Sequence, residues 1–276
     1  VTNLVKATLV IFLSLILSAY NYCLDSRCVG CWYMESSATE TDESGNNETL
    51  SESAGDDIPA SATKKFGTYS RDWENSGGEN EYLYHADGGS TDLNGANQDI
   101  VILTWVRVET DNGAINDLVS KYDYGDGNKQ FDLRADMSDD TFMFRLSNDG
   151  SSNNDVYGEA VVTAGTWVHL VGYYDDSGSD LTCYYDNTEC GSPASYTGGM
   201  YDGNEIFSVG MYWNSGTAAR PYDGLMDDIA VFDEAITTVE LGDIYNYGLK
   251  GRDRRIIVVR QAEATRLWKK IFKYYQ

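Results

Sequence analysis

Two adjacent carboxylates, Asp227 and Asp228, lie inside an otherwise apolar run, GLMDDIAVF at 224–232. A buried carboxylate needs a partner, so this pair is expected to share a cation or backbone N–H groups. Two other stretches combine aromatic rings with Asp or Asn on predicted loops. One holds Tyr212, Trp213, Asn214 and Tyr222; the other holds Tyr122, Tyr124, Asp126 and Asn128. An aromatic platform flanked by such polar groups suits a sugar ring, with Trp213 as its leading residue. Tyrosine-rich turns packed onto a sheet would use the same residues, and both readings stand. Cys183 and Cys190 flank an Asp186-Asn187 pair; as a two-residue hairpin turn it places them opposite each other, which predicts a cross-strand disulfide. Cys23, Cys28 and Cys31 allow one pair plus a free thiol, or a zinc site that lacks its fourth ligand.

Acid–base and nucleophilic chemistry find little support. The chain has two histidines, His85 and His169. His169 stands mid-strand between Val168 and Leu170, where a structural role outweighs a catalytic one. There is no Ser/His/Asp constellation and no glycine motif to cradle a phosphate.

The elements that must hold these residues read as short strands joined by polar turns. Three prolines, 27 glycines and 21 tyrosines fit that pattern. Residues 222–249 read as a strand, a turn and a short helix. On the strand, Met226, Asp228, Ala230 and Phe232 alternate with Leu225, Asp227, Ile229 and Val231, and neither face is polar throughout, so both are expected to be covered. The helix opens on a capping box, Thr237 with Glu240. Val239, Leu241, Ile244 and Tyr245 form its apolar side, and Gly248 stops it.

The 224–232 strand followed by AITTVELGDIY (235–245) resembles the closing element of laminin-G-like domains of the concanavalin A-like lectin/glucanase superfamily. Four further stretches carry the resemblance: DESGN (42–46) with Thr49-Leu50; Asp92-Leu93 with the 100–107 strand; the meander of 117–121, 130–134 and 141–146; and AGTWVHLVGYYD (164–175). The resemblance implies an all-β fold: a two-sheet antiparallel sandwich, a concanavalin A-like jelly roll, with a short helix after its last strand. It also implies a structural Ca²⁺ near the joined ends, with Asp42, Asn46, Asp227 and Asp228 as candidate ligands. Glucanases of this superfamily carry E-x-D-x-x-E on one strand face. Here Glu40-Thr-Asp42 begins that motif, but Gly45 ends it, so no enzyme is expected.

Charge and the two ends bound the partners. The net charge is −24, yet from Lys250 onward nine Lys and Arg face two acidic residues, leaving −31 on 1–249. So acidic a body excludes nucleic acid held through its phosphates. Ala7 to Ala19 is an apolar or small-residue run of 13 residues, which suits a signal-peptide core better than a span of about 20. The expected organisation is a signal peptide or retained apolar helix at 1–19, a linker at 20–30, the sandwich at 31–249 and a basic amphipathic tail at 250–276. An exported, surface-associated carbohydrate-binding or adhesion module follows, extracellular and disulfide-permissive. The alternative is a subunit of an extracellular filament, sheath or virion that self-assembles, or touches a membrane, through its two ends.

Overall fold

The computed structural model describes residues 21–53, 58–74, 81–87, 93, 98–110, 113–158, 163–178, 180–196 and 198–251. In chain order the strands begin with β1 (Cys28–Trp32), β2 (Ser51–Glu52), β3 (Ala60–Ser61), β4 (Ser70–Trp73), β5 (Leu83–His85) and β6 (Ile100–Val108). A meander follows: β7 (Ile115–Asp123), β8 (Asn128–Asp136), β9 (Thr141–Leu146) and β10 (Asn154–Gly158). Then come β11 (Val168–Asp175), β12 (Asp180–Tyr185), β13 (Thr188–Ser195), β14 (Phe207–Val209), β15 (Tyr212–Asn214), β16 (Thr217–Ala219) and β17 (Gly224–Phe232). Helix α1 (Thr238–Tyr247) closes the described chain.

The strands form the two sheets of a sandwich. The first runs β13-β12-β11-β6-β17-β4-β3, with β1 also on β17; the second runs β10-β9-β8-β7-β14-β5-β2, with β15 and β16 attached at β7. Between them lies the main core, with Ile100, Ile102, Val106, Leu133, Phe142, Phe144 and Met226 among its members. Burying each such side chain contributes about 1.5–3 kcal/mol. A second apolar cluster covers the other side of the first sheet, where Val101, Leu103, Val171 and Phe232 meet Leu241 and Ile244 of α1.

Strand β17 is the hub of the first sheet, and all nine of its residues are buried. It pairs with β6 along its length. On its other flank, Gly224–Met226 pair with β4 and Ile229–Phe232 with β1. Where one neighbour gives way to the next, the register against β6 slips: Asp227 faces Trp105, but Ala230 faces Leu103. Asp228 is the extra residue, at φ 47°. This bulge corrects the simple alternation expected from the sequence. Met226 shares the main core with Ile229 and Val231, while Ala230 and Phe232 lie in the cluster under α1. One inserted residue reverses the facing of everything after it.

The capping box forms as expected: Thr237 Oγ1 accepts from Glu240 N, and the Glu240 carboxylate accepts from Thr237 N. Val239 is 73% exposed, because the helix meets the sheet through Leu241 and Ile244. The boundary expected at residue 31 cuts through packed structure. Tyr22, Cys23, Cys28 and Val29 are buried, β1 starts at Cys28, and a Cys23–Cys31 disulfide ties the entry of the chain to its first strand. Cys28 is the remaining thiol, and burial pushes its pKa up. Cys183 and Cys190 face each other across β12 and β13 and are bonded, with Cα atoms 5.4 Å apart. The stretches 1–19 and 252–276 lie outside the described residues, and no described helix is long and apolar enough to cross a membrane.

Gly248 ends α1 at φ 70° and ψ 177°, a combination that L side chains rarely adopt. A Cβ there would lie 2.7 Å from Asp228 Oδ2 and 3.1 Å from the Phe66 ring. Gly248→Ala is therefore expected to lower the free energy of unfolding by about 1–3 kcal/mol. Urea titration should show a lower midpoint at an unchanged slope, and an unchanged midpoint would refute this account of the helix stop.

Candidate functional site

The second sheet brings two distant loops together at one carboxylate. Asp123 ends β7 and is 1% exposed. Its Oδ1 accepts from Gly125 N at 2.8 Å and Asp126 N at 3.2 Å, which folds the β7–β8 turn. The same carboxylate accepts from Ser215 N at 2.8 Å and Gly216 N at 3.0 Å, which holds the β15–β16 turn. Burial works against the charge, but these four N–H groups outweigh it and hold the Asp123 carboxyl below the usual carboxylate range. Backbone pairing completes the junction: Trp213 pairs with Asp123, and Tyr124 N donates to Trp213 O at 2.9 Å.

Four residues expected at a ligand platform therefore gather here and face outward. Tyr124 is 55% exposed, with Lys129 Nζ 4.7 Å from its ring centroid. Asp126 and Asn214 are exposed. Trp213 is half-buried, rests edge-on against Tyr82 at 5.7 Å, and has an indole Nε1 without a hydrogen-bond acceptor. Together they offer an aromatic surface, a carboxylate and an amide.

Two other candidates are corrected. Tyr212 is 6% exposed and turns inward against Tyr122, because side chains alternate along β15 and Trp213 takes the outward place. Tyr222 is 1% exposed; its ring packs against Trp73 and its hydroxyl donates to Leu225 O at 3.0 Å. Tyr212 supports the platform from within, and Tyr222 belongs to the core between the sheets. Asp123 was not singled out from the sequence. Its signal was the Asp-Tyr-Gly-Asp-Gly turn, in which an Asp before Gly commonly accepts from N–H groups two or three residues on.

The four candidate calcium ligands do not form one donor set. Asp42 accepts from Cys31 N, Ser44 N, Ser44 Oγ and Glu48 N, so its oxygens already face donors. The Asn46 amide donates to Cys28 O and Val29 O. Asp227 Oδ2 accepts from Lys65 N and Phe66 N, while its buried Oδ1 has no partner. Asp228 Oδ2 accepts from Leu249 N at 2.9 Å. Burial, and the charge of Asp228 beside it, push the Asp227 carboxyl up; burial does the same to Asp228. Among the described residues the acidic trio whose oxygens lie within 4.8 Å of one another is instead Asp72, Glu74 and Glu109.

His169 has the structural surroundings expected of it. It is 1% exposed between Trp105 and Tyr245, with ring centroids 5.0 and 5.9 Å away. Burial depresses its pKa to about 3, so it is neutral.

The profile of the Laminin_G_3 family, concanavalin A-like lectin/glucanases superfamily, matches residues 77–242, and the chain belongs to this family. No curated protein matches it in sequence. Among solved structures, the binding domain of Paraclostridial Mosquitocidal Protein 1 is similar at TM-score 0.63 and 18% identity, over 81% of this chain and 52% of that one. A botulinum neurotoxin type C structure, described as dependent on two ganglioside molecules for cell entry, is similar at TM-score 0.63 and 11% identity, over 83% and 55%. Domain 4 of a GH43 extracellular arabinanase from Geobacillus stearothermophilus, in complex with arabinotriose, is similar at TM-score 0.54 and 16% identity, over 79% and 98%. The chain thus spans about half the length of the toxin domains and nearly all of the arabinanase domain. At these identities the likeness is one of fold.

Asp123→Ala removes the acceptor for four N–H groups on two loops. It should cost about 1–3 kcal/mol in chemical denaturation and raise amide exchange in both turns together. Loosening of the β7–β8 turn alone would show that Asp123 does not couple them.

Proposed function

We propose that this chain is an exported, surface-associated glycan-binding module without catalysis. The observation that carries the reading is the outward platform of Trp213, Asn214, Tyr124 and Asp126, fixed through the buried Asp123. Trp213 supplies a stacking face; Asp126 and Asn214 supply groups for sugar hydroxyls. The fold supports it too, since similar structures include a toxin binding domain linked to gangliosides and an arabinanase domain holding arabinotriose. Those ligands are the first probes to use. Trp213→Ala should weaken binding of arabinotriose or a ganglioside oligosaccharide, whichever the wild type takes, by about tenfold or more without shifting the melting temperature. Equal affinity in calorimetric titration would remove Trp213 from the site.

One observation favours a second reading. Tyr22 N donates to Leu249 O at 3.0 Å, so the first and last described segments of the chain lie side by side. A subunit that assembles, or contacts an anionic membrane, would use both ends from that place. Its polymerisation, read by light scattering, would need 1–19 and 252–276 and ignore Trp213→Ala; the binding module shows the reverse dependence.

Calcium enters as a structural ion at Asp227 and Asp228, supported by the unpartnered Asp227 Oδ1. Asp42 is left out because its oxygens already accept from four donors, and Asn46 belongs with it, its amide donating to Cys28 O and Val29 O. At 100-fold excess over its Kd, Ca²⁺ should raise the melting temperature by about 5–10 °C relative to EDTA. Identical melts in Ca²⁺ and EDTA would exclude the ion.

A further inference from the structure

The rim of the second sheet that carries the platform runs on past it. On one side the β7–β8 turn meets the β15–β16 turn so closely that a Cβ on Gly125 would strike Ser215 Oγ. On the other side it meets the β9–β10 loop, residues 147–153. Lys129 N donates to Gly150 O at 3.1 Å. Lys129 Nζ, 4.7 Å from the Tyr124 ring centroid, donates to Ser151 O at 2.7 Å. Gly150, at φ 76°, is wedged between this turn and Tyr201: a Cβ there would lie 2.5 Å from Gly127 O and 2.8 Å from the Tyr201 ring. Glycine alone permits that approach, and it sets Tyr201 against the loop.

Residues 201–204 form the next part of the rim and are fixed from beneath. Tyr201 N donates to Ser147 O at 2.7 Å. The buried Gln130 accepts from Gly203 N at 3.2 Å through Oε1, and the buried Lys121 Nζ donates to Gly203 O at 2.6 Å. Asn128 and Asn204 are joined twice: Asn128 Nδ2 donates to Asn204 Oδ1 at 2.7 Å, and Asn204 N donates to Asn128 Oδ1 at 3.0 Å. Tyr201 is half-buried, while Asp202 and Asn204 are exposed. This segment therefore repeats what Trp213, Asp126 and Asn214 offer: a ring, a carboxylate and an amide on a rigid backbone.

Length and charge narrow what can lie here. Strands β15, β7, β8 and β9 are successive neighbours. Three strand spacings put about 14 Å between Trp213 and the loop that holds Tyr201, more than one sugar ring covers. Exposed carboxylates, Asp126, Asp149 and Asp202, are spread along the whole rim. Its ammonium, Lys129, already serves Ser151 O. An acidic sugar would meet like charge along this path, whereas the hydroxyls of a neutral one can donate to these carboxylates.

We propose that the site takes a neutral oligosaccharide long enough to lie along this rim, with Tyr201 and Asn204 forming a second subsite beside that of Trp213. The inference rests on the glycan-binding reading and goes beyond it by naming the ligand's length and charge. Because both subsites are held in place before the ligand arrives, a chain that fills the first reaches the second without a further association cost.

The test is calorimetric titration of the full chain, in physiological salt, with neutral disaccharides and hexasaccharides of the arabinose, glucose, galactose and mannose series. In the series bound best, Tyr201→Ala should weaken the hexasaccharide about tenfold and leave the disaccharide unchanged, while Trp213→Ala weakens both. An unchanged hexasaccharide affinity in Tyr201→Ala overturns the second subsite. Hydrogen exchange on the wild type decides the same point if that variant does not fold. The hexasaccharide should protect both 211–217 and 198–206, and the disaccharide only the first; hexasaccharide protection confined to 211–217 overturns the proposal. A sialylated ganglioside oligosaccharide or an oligogalacturonate bound more tightly than every neutral sugar would overturn the neutral class and leave the glycan reading standing. No binding of any of these sugars would defeat that reading, and this inference with it.

Discussion

One strand in the middle of the first sheet must serve two neighbours on the same flank, and the cost of burying Asp227 and Asp228 decides how. A carboxylate inside a sheet needs donors. Lys65 N and Phe66 N serve Asp227, and Leu249 N serves Asp228. Those donors come from the loop before β4 and from the end of α1, so the pair pins both to β17. The bulge that turns the two carboxylates toward them also marks where β4 ends and β1 begins. Ladder, helix docking and joined ends all follow from that one inserted residue.

Asp123 works by the same physics at the other sheet, with a different result. The pair at 227–228 fastens structure around the core; Asp123 fastens two turns that face solvent. A carboxylate that satisfies four N–H groups makes loops rigid without covering them. That lets Trp213 and Tyr124 stay exposed at defined positions and lowers the ordering cost of capturing a ligand. Such loops on a stiff sheet are where binding residues are commonly found.

Much of the fold was legible in the sequence. Residues 100–107 form the expected strand, the capping box at Thr237 and Glu240 forms, and the turn at Asp186-Asn187 sets Cys183 against Cys190. What escaped depends on contacts distant in sequence. The bulge at Asp228 breaks a period of two, and no local signal announces it. Residues 212–222 read as a loop, so Tyr212, Trp213 and Tyr222 were grouped by composition; β15 separates Tyr212 from Trp213 by alternation, and the core claims Tyr222. Asp123 takes two of its donors from residues 92 and 93 positions away, which no local reading supplies.

The two outer faces of the sandwich are not equivalent, and this bears on where a ligand can act. The outer face of the first sheet is apolar and sealed by α1, through Leu241 and Ile244 against Val101, Leu103 and Phe232. Seals of that kind carry no directional polar groups to choose between ligands. The outer face of the second sheet is built from Asp117, Asp132, Arg134 and Arg145, and a hairpin of two three-residue strands closes it. Buried charges bring little net stability, and an apolar face would pack the same hairpin more firmly. A charged floor under a short hairpin therefore carries directional polar groups that the sealed face of the first sheet lacks, at the cost of packing strength.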